Sequence, residues 1–295
     1  MFNRHKMARI PWVSYVVVIF GGVIMVVPFL DLVFSSLKAF SEYGRLPYHL
    51  VPQHFTWSNY LTAFQSLQLG KLFSNSVIVS VSVTALVLLT SAMAGYALAK
   101  LRFHGRQATF RFILATMMLP SFLMLIPNFV IMVNFPLVGG NNILGQGGQG
   151  GMITNIFSLI LPFAVSGFGI FLMRQFIMGL PIEVIEAARI DGASEGRIFF
   201  NVILPQTTPI ALSLGLLTFV NSWNEYIWPS IIGSSNNNLM TLPVGIQMLQ
   251  SAYDPARSMP VVMAGIVMSM LPILIVFLIF QKYYVRGVAM SGMKW

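Results

Sequence analysis

Acid–base and metal chemistry need clustered His, Cys, Asp or Glu, and this 295-residue chain has four His, eight Asp plus Glu, and no Cys. The histidines (His5, His49, His54 and His104) are scattered, and none stands in an HExxH or comparable ligand spacing. Without Cys there is no disulfide framework, thiolate ligand or thiol nucleophile. The run GQGGQGG at 145–151 lacks the GK[ST] that completes a phosphate-binding loop and reads as a flexible connector. No catalytic residue, metal site or cofactor is therefore expected, and the chain is not expected to be an enzyme.

Two groupings of polar residues remain. The first is RQFIMGLPIEVIEAARIDGASEGRIFFNVILPQTTPI at 174–210, which holds Glu183, Glu186, Asp191 and Glu195. Pro181 suits the first turn of a helix, where its missing N–H costs nothing, and the two glutamates near the start suit the macrodipole. Gly192 can close that helix in a left-handed conformation. Ser194 can cap a second short helix, and Pro205 marks the next break. The product is helix, Gly turn, helix, presenting Ala187 and Ala188, whose small side chains admit the close approach of another backbone. A helix of fewer than about 12 residues is marginal in water, so this element should be stabilised by docking into another protein.

The second grouping is NSWNEYIWP at 221–229. Asn221, Trp223, Asn224, Glu225 and Tyr226 combine amides, a carboxylate and aromatic faces, a mixture suited to polyhydroxylated ligands that hydrogen-bond along their edges and stack on their faces. An interfacial aromatic belt reads equally well from the same residues.

The elements that position both groupings follow from hydropathy. Charged residues make up 8% of the chain and hydrophobic ones 56%, and the mean hydropathy is +0.78. A soluble domain carries about 25% charged residues, so the chain is expected to be a membrane protein. Six stretches approach the roughly 20 apolar residues needed to cross a bilayer: 12–34, 73–99, 112–133, 156–173, 207–228 and 261–280. Asp31 and Glu225 are the only formal charges in them. Arg4, Lys6 and Arg9 precede the first stretch as in a signal peptide, but the run exceeds the usual apolar region and no small-x-small site follows directly, so a retained span is expected.

Thirteen of the 17 Lys and Arg fall in the amino-terminal segment, the 100–111 and 174–206 connections and the tail. By the positive-inside rule these, with both termini, are cytoplasmic. The net charge of +9 is thereby assigned to topology and anionic headgroups rather than nucleic acid. Spans so poor in charge argue against an ion pump. Uphill movement would then need a partner that hydrolyses nucleotide. Pro120 and Pro127 are expected to kink the third span, lining a pathway or serving structure alone. On the fifth span, at 1.5 Å per residue, Glu225 should lie about 27 Å from its start, near the outer interface.

At this point the sequence resembles a known family. EAAxxDGA followed by ILP, at Glu186, Ala187, Ala188, Asp191, Gly192, Ala193 and Ile203–Pro205, looks like the EAA loop of permease subunits of binding-protein-dependent ABC importers. The flanks FGIFLMRQF (168–176) and NSWNEYIWP are similar to the carbohydrate-type permeases, in particular the smaller maltose-type subunit. So are PQHFTWSNY (52–60), NS (75–76), AGYALAKLRFHGR (94–106) and MMLPSFLMLIPNFV (117–130), so that the likeness covers nearly the whole chain. The ending SGMKW departs from the family's GxxKG-like tail.

The resemblance implies an all-α polytopic protein of the bacterial or archaeal cytoplasmic membrane, a single transmembrane domain with six spans and a cytoplasmic coupling loop. It implies a second permease subunit, two ATPase subunits that bind the ATP, an extracytoplasmic solute-binding protein, and a di- or oligosaccharide substrate moved by alternating access. Residues 186–193 would couple to the ATPase, and 221–226 would lie on the substrate path. The tail 282–295 would reach the ATPases or act as a plain anchor, and the Gly-rich connection 134–155 would meet the binding protein or be an inert connector. Rival readings are a self-sufficient carrier or channel, a membrane scaffold, and an importer permease for glycerol-phosphate-type or polyol substrates.

Overall fold

The computed structural model describes residues 12–66, 68–148, 150–252 and 255–292. Every regular element among the described residues is helical, as hydrocarbon demands when each backbone N–H and C=O must find its partner within its own segment. The basic amino-terminal residues Arg4, Lys6 and Arg9, and Lys294 in the tail, lie outside the described residues.

The chain forms two compact units. One takes the described residues up to Gln68 together with Ile246–Met268; the other takes Leu69–Gly245 with the described residues from Ser269. In the first, α1 (Trp12–Ser36) is apolar on every face up to Asp31, and only Ser35 and Ser36 at its end are buried. Such a helix is built to be covered by lipid or by other helices. The short α2 (Ser58–Ser66) is tied to that end by buried Asn59, whose amide donates to the Ser36 and Lys38 carbonyls at 2.9 Å each.

In the second unit α3 (Leu69–Lys100) is the long axis. It is followed by α4 (Arg106–Thr116), α5 (Leu125–Val133), α6 (Phe157–Ile160), α7 (Gly167–Met178), α8 (Ile182–Ile190), α9 (Glu195–Ile198), α10 (Leu204–Gln206), α11 (Thr208–Trp223) and α12 (Ile227–Ser235). Two helices, α13 (Leu242–Ala252) and α14 (Pro255–Gly292), complete the chain.

Three helices are long and apolar enough to cross a membrane singly: Trp12–Ser36, Leu69–Lys100 and Met259–Gln281. Three bent pairs meet the same test together: Arg106–Thr116 with Ser121–Val133 at 99°, Phe157–Phe163 with Gly167–Met178 at 47°, and Glu195–Gln206 with Thr208–Trp223 at 77°. The expected third, fourth and fifth spans are therefore broken rather than straight. In the third, Pro120 takes an extended ψ of 131° at the break. Pro127 sits in the first turn of α5, where it breaks nothing, so only one of the two prolines acts as a kink. In the fifth, the 77° bend falls at the start of the expected segment, and the helix stops at Trp223 with a new one beginning at Ile227 instead of running on to Trp228.

The core lies where α3 packs between α7 and α11. Val79, Val83, Val87 and Tyr96 bury one face of α3 against Met173, Ile177 and Leu214. Small residues set the crossing with α7: a Cβ on Gly95 would lie 2.8 Å from the Met173 Cβ and 2.9 Å from the Arg174 nitrogen, and one on Gly169 would collide with the Ser91 hydroxyl. Close backbone approach of this kind is how helices associate in lipid, which supplies no hydrophobic drive between them. Gly95→Leu is accordingly expected to destabilise the fold by about 1–3 kcal/mol through overpacking. Gly21→Ala, with no atom within 4 Å of the new methyl, should leave it unchanged; melting temperatures of the two variants in detergent check the pair.

Local hydrogen bonds tie together described residues of the connection 134–155. Buried Asn141 donates to the carbonyls of Val133 and Phe135 at 2.9 and 3.0 Å and accepts from Gly148 N at 3.0 Å. Several of its glycines stand where a side chain would strike neighbouring backbone. At those positions glycine permits the close backbone approach.

Candidate functional site

The 174–206 segment folds as its residues dictate. Pro181 is the residue before α8, with φ −57° and ψ 131°, one position earlier than expected. Gly192 adopts φ +77°. Its N–H donates to the Arg189 carbonyl, and the Ala193 N–H reaches back to Ala188, both at 3.0 Å. This is the double hydrogen bond of a Schellman stop. The Ser194 hydroxyl accepts from Arg197 N at 3.4 Å and caps α9. A π segment, Phe199–Ile203, then leads to α10 and the bend before α11.

The two alanines expected to act together face different ways. Ala188 and Ala193 pack with Ile185 against the core, whereas Glu186, Ala187, Asp191 and Gly192 are exposed. Three apolar side chains spaced by three residues run along the exposed side of α8: Val184, Ala187 and Ile190, the last 86% exposed.

Residues outside the expected set hold this loop to α3. The Tyr96 hydroxyl donates to one Glu195 oxygen at 2.6 Å, and Arg189 Nε donates to the other at 2.8 Å. Glu195 thus joins the end of α8, the start of α9 and the buried face of α3. The hydrogen bond that Arg189 donates to Glu195 raises the Arg189 pKa above its ordinary value. One turn on, Lys100 Nζ donates to the Leu180 carbonyl at 2.6 Å, a cation at the C-terminal end of α7 where the macrodipole favours it. Arg174 Nε reaches the Leu98 carbonyl at 3.3 Å, and its guanidinium lies 3.8 Å over the Phe110 ring. Tyr96, Lys100 and Arg174 fall in motif stretches readable in the sequence, but their pairing across 76 to 99 positions is not.

The residues at 221–226 are not brought to one place. Trp223 is 2% exposed, stacks on Phe219 and donates through Nε1 to the Ser269 carbonyl at 3.2 Å. Its ring meets Phe73 edge-on at 5.7 Å, so both its face and its N–H are committed to packing. Asn224 closes α11, and Tyr226 precedes α12. Asn221 and Glu225, by contrast, line a cavity of about 240 Å³ with Ser166, Thr218 and Ser222. The Glu225 Oε1 accepts from the N–H groups of Ile227 and Trp228 at 3.0 and 3.2 Å, capping α12. Among the described residues no group of three or more His, Asp or Glu is placed to hold a metal ion.

The family model for the binding-protein-dependent transport system inner membrane component matches residues 88–290. The arabinooligosaccharides transport system permease protein AraQ of Halalkalibacterium halodurans is 33% identical over 99% of each chain. The diacetylchitobiose uptake system permease protein NgcG of Streptomyces coelicolor is 32% identical over 97% of this chain and 90% of its own. A solved bacterial ABC transporter involved in import of the acidic polysaccharide alginate superposes with a TM-score of 0.79 at 24% identity, covering 96% of this chain and 100% of that one, which establishes the fold. With a matching model over most of its length and relatives of this identity, the chain belongs to the inner-membrane permease family of binding-protein-dependent transport systems.

Proposed function

We propose that this chain carries a di- or oligosaccharide across the cytoplasmic membrane by alternating access, driven by ATPase subunits that grip α8. Family membership makes it an importer permease, and the two relatives above are oligosaccharide permeases by name. The observation that carries the coupling role is the exposed Val184–Ala187–Ile190 strip on a nine-residue helix. A helix this short needs a partner, and its apolar side is free to supply the contact while its opposite side is fixed to the core.

In this reading each bent pair is one span, giving six, with both termini and α8 in the cytoplasm. A second permease subunit completes the pathway, two ATPase subunits bind the ATP, and a solute-binding protein delivers sugar from outside. The tail from Lys282 lies on the ATPase side. Asn221 and Glu225 act on the substrate path directly, whereas Trp223 acts by fixing α11 against Ser269. The chain needs no cofactor of its own and is no enzyme.

Purified alone, the chain is expected to hydrolyse no ATP; co-expressed with its ATPase subunit, it is expected to bring that subunit through affinity purification. Turnover by the isolated chain, or clean separation from the ATPase with transport intact, would favour a self-sufficient carrier.

A further inference from the structure

Thr218, Asn221 and Ser222 stand at i, i+3 and i+4 on one face of α11, and Glu225 follows in the break after Trp223; lining one cavity, the four make a polar stripe. On an otherwise apolar spanning helix such a stripe faces a helix partner or a polar cavity. Here all four line the same cavity, with Ser166 opposite. The other wall is apolar: Val79, Val83 and Val87 on α3, and Phe163. No protein atom takes up the Asn221 amide among the described residues, and it borders a second, apolar cavity as well. An amide left without a partner in an apolar membrane span has reason to meet solvent or ligand.

We infer that this chain itself holds a selectivity site, in which the Thr218–Glu225 stripe binds one ring of an uncharged saccharide and turns away anionic ones. This rests on the importer reading above. A sugar ring offers hydroxyls around its edge and C–H groups on its faces, matching a wall of hydroxyls, an amide and a carboxylate set against three valines and a phenylalanine. The cavity is small beside typical ligand sites of about 300–1,000 Å³, so a chain of sugars passes ring by ring.

Charge decides the class. Recognition of a carboxylate, sulfonate or phosphate calls for Arg or Lys, and no Lys, Arg or His is among the described residues lining the cavity. Its one charged side chain is Glu225, held in place by the two N–H groups of α12. An anion entering here meets a fixed like charge with no cation to offset it.

Saturation-transfer NMR on the assembled importer in nanodiscs tests this with four probes: arabinotriose, diacetylchitobiose, glycerol 3-phosphate and an alginate trisaccharide. The two neutral saccharides are expected to give transfer and the two anions none. Thr218→Val with Asn221→Leu should weaken the neutral signal about tenfold, the loss of two uncharged hydrogen bonds, with the melting temperature unchanged. Anions binding the unaltered protein as well as the neutral probes would overturn the charge argument. An unchanged neutral signal in the double variant, or no signal from any probe, would overturn the site. Failure of the ATPase to co-purify would instead strike the importer reading on which both rest.

Discussion

Ala187→Glu and Gly192→Asp are expected to abolish transport while leaving the protein inserted and folded. Ala187 is exposed on α8 between Val184 and Ile190 and touches nothing that folding requires. A glutamate there is harmless in water. Buried against a partner without a counter-charge it costs about 3 kcal/mol or more, a hundredfold or greater loss of docking. Gly192 carries a φ of +77°, with no atom within 4 Å of where a Cβ would stand, so the obstacle to substitution is conformation and charge rather than space. Asn and Asp both tolerate the left-handed region, but a negative charge at a helix C-terminus opposes the macrodipole. Gly192→Asn should therefore keep most transport where Gly192→Asp loses it. Uptake in membrane vesicles, normalised to inserted protein, checks all three variants; normal uptake by both charged ones would refute docking through α8.

Tyr96→Phe should lower the amount of substrate moved per ATP about tenfold, with assembly and ATP hydrolysis retained. The Tyr96 ring packs against Phe199 at a centroid distance of 5.9 Å, a contact that Phe preserves. Only the hydrogen bond to Glu195 is lost. Such a charge-assisted bond contributes about 1.5–3 kcal/mol, and under the proposed coupling it is the tie through which movement of α8 and α9 would reach α3. Glu195→Gln should produce a similar loss, and the double variant should be no worse than either single one, since the residues act as one unit. Parallel assays of sugar uptake and phosphate release in proteoliposomes give the ratio. Additive effects, or an unchanged ratio in Tyr96→Phe, would reduce Glu195 to a local brace.

The loop was legible because its geometry is written in short-range chemistry. Gly192 and Ser194 act as the stop and cap that their types suggest, and Pro181 is displaced by one position. The apolar stretches were legible in approximate place, where the structure has three single spans and three bent pairs, but not in shape. Hydropathy averages over a window and is blind to a break of a few residues, whether at Pro120, where apolar character continues, or after Trp223, where Asn224 and Glu225 are outweighed by their apolar neighbours.

The substrate segment was only partly legible. Residue type marks Trp223 and Asn221 alike as suited to a sugar; the long-range contacts with Phe73 and Ser269 commit the first to packing, whereas the second lines a cavity. The stripe from Thr218 to Glu225 has a helical period, visible once polar residues in an apolar span are counted by face rather than by cluster. Glu195 and Tyr96, 99 positions apart, gave no such local signal.

Because the chain contains no Cys, a single introduced thiol tests the account without background. Ile190→Cys, at the exposed end of α8, labelled with a maleimide–benzophenone reagent, should form a photo-cross-link with the co-expressed ATPase subunit, since the ketone inserts into a nearby C–H bond and needs no second thiol. Gly147→Cys, in the connection assigned to the opposite side of the membrane, should form none. The predicted result is a permease–ATPase adduct from position 190 alone, seen in membranes and diminished by Ala187→Glu. No adduct from position 190 in a transporting complex, or an equal adduct from position 147, would contradict the claim that α8 is where the driving force enters.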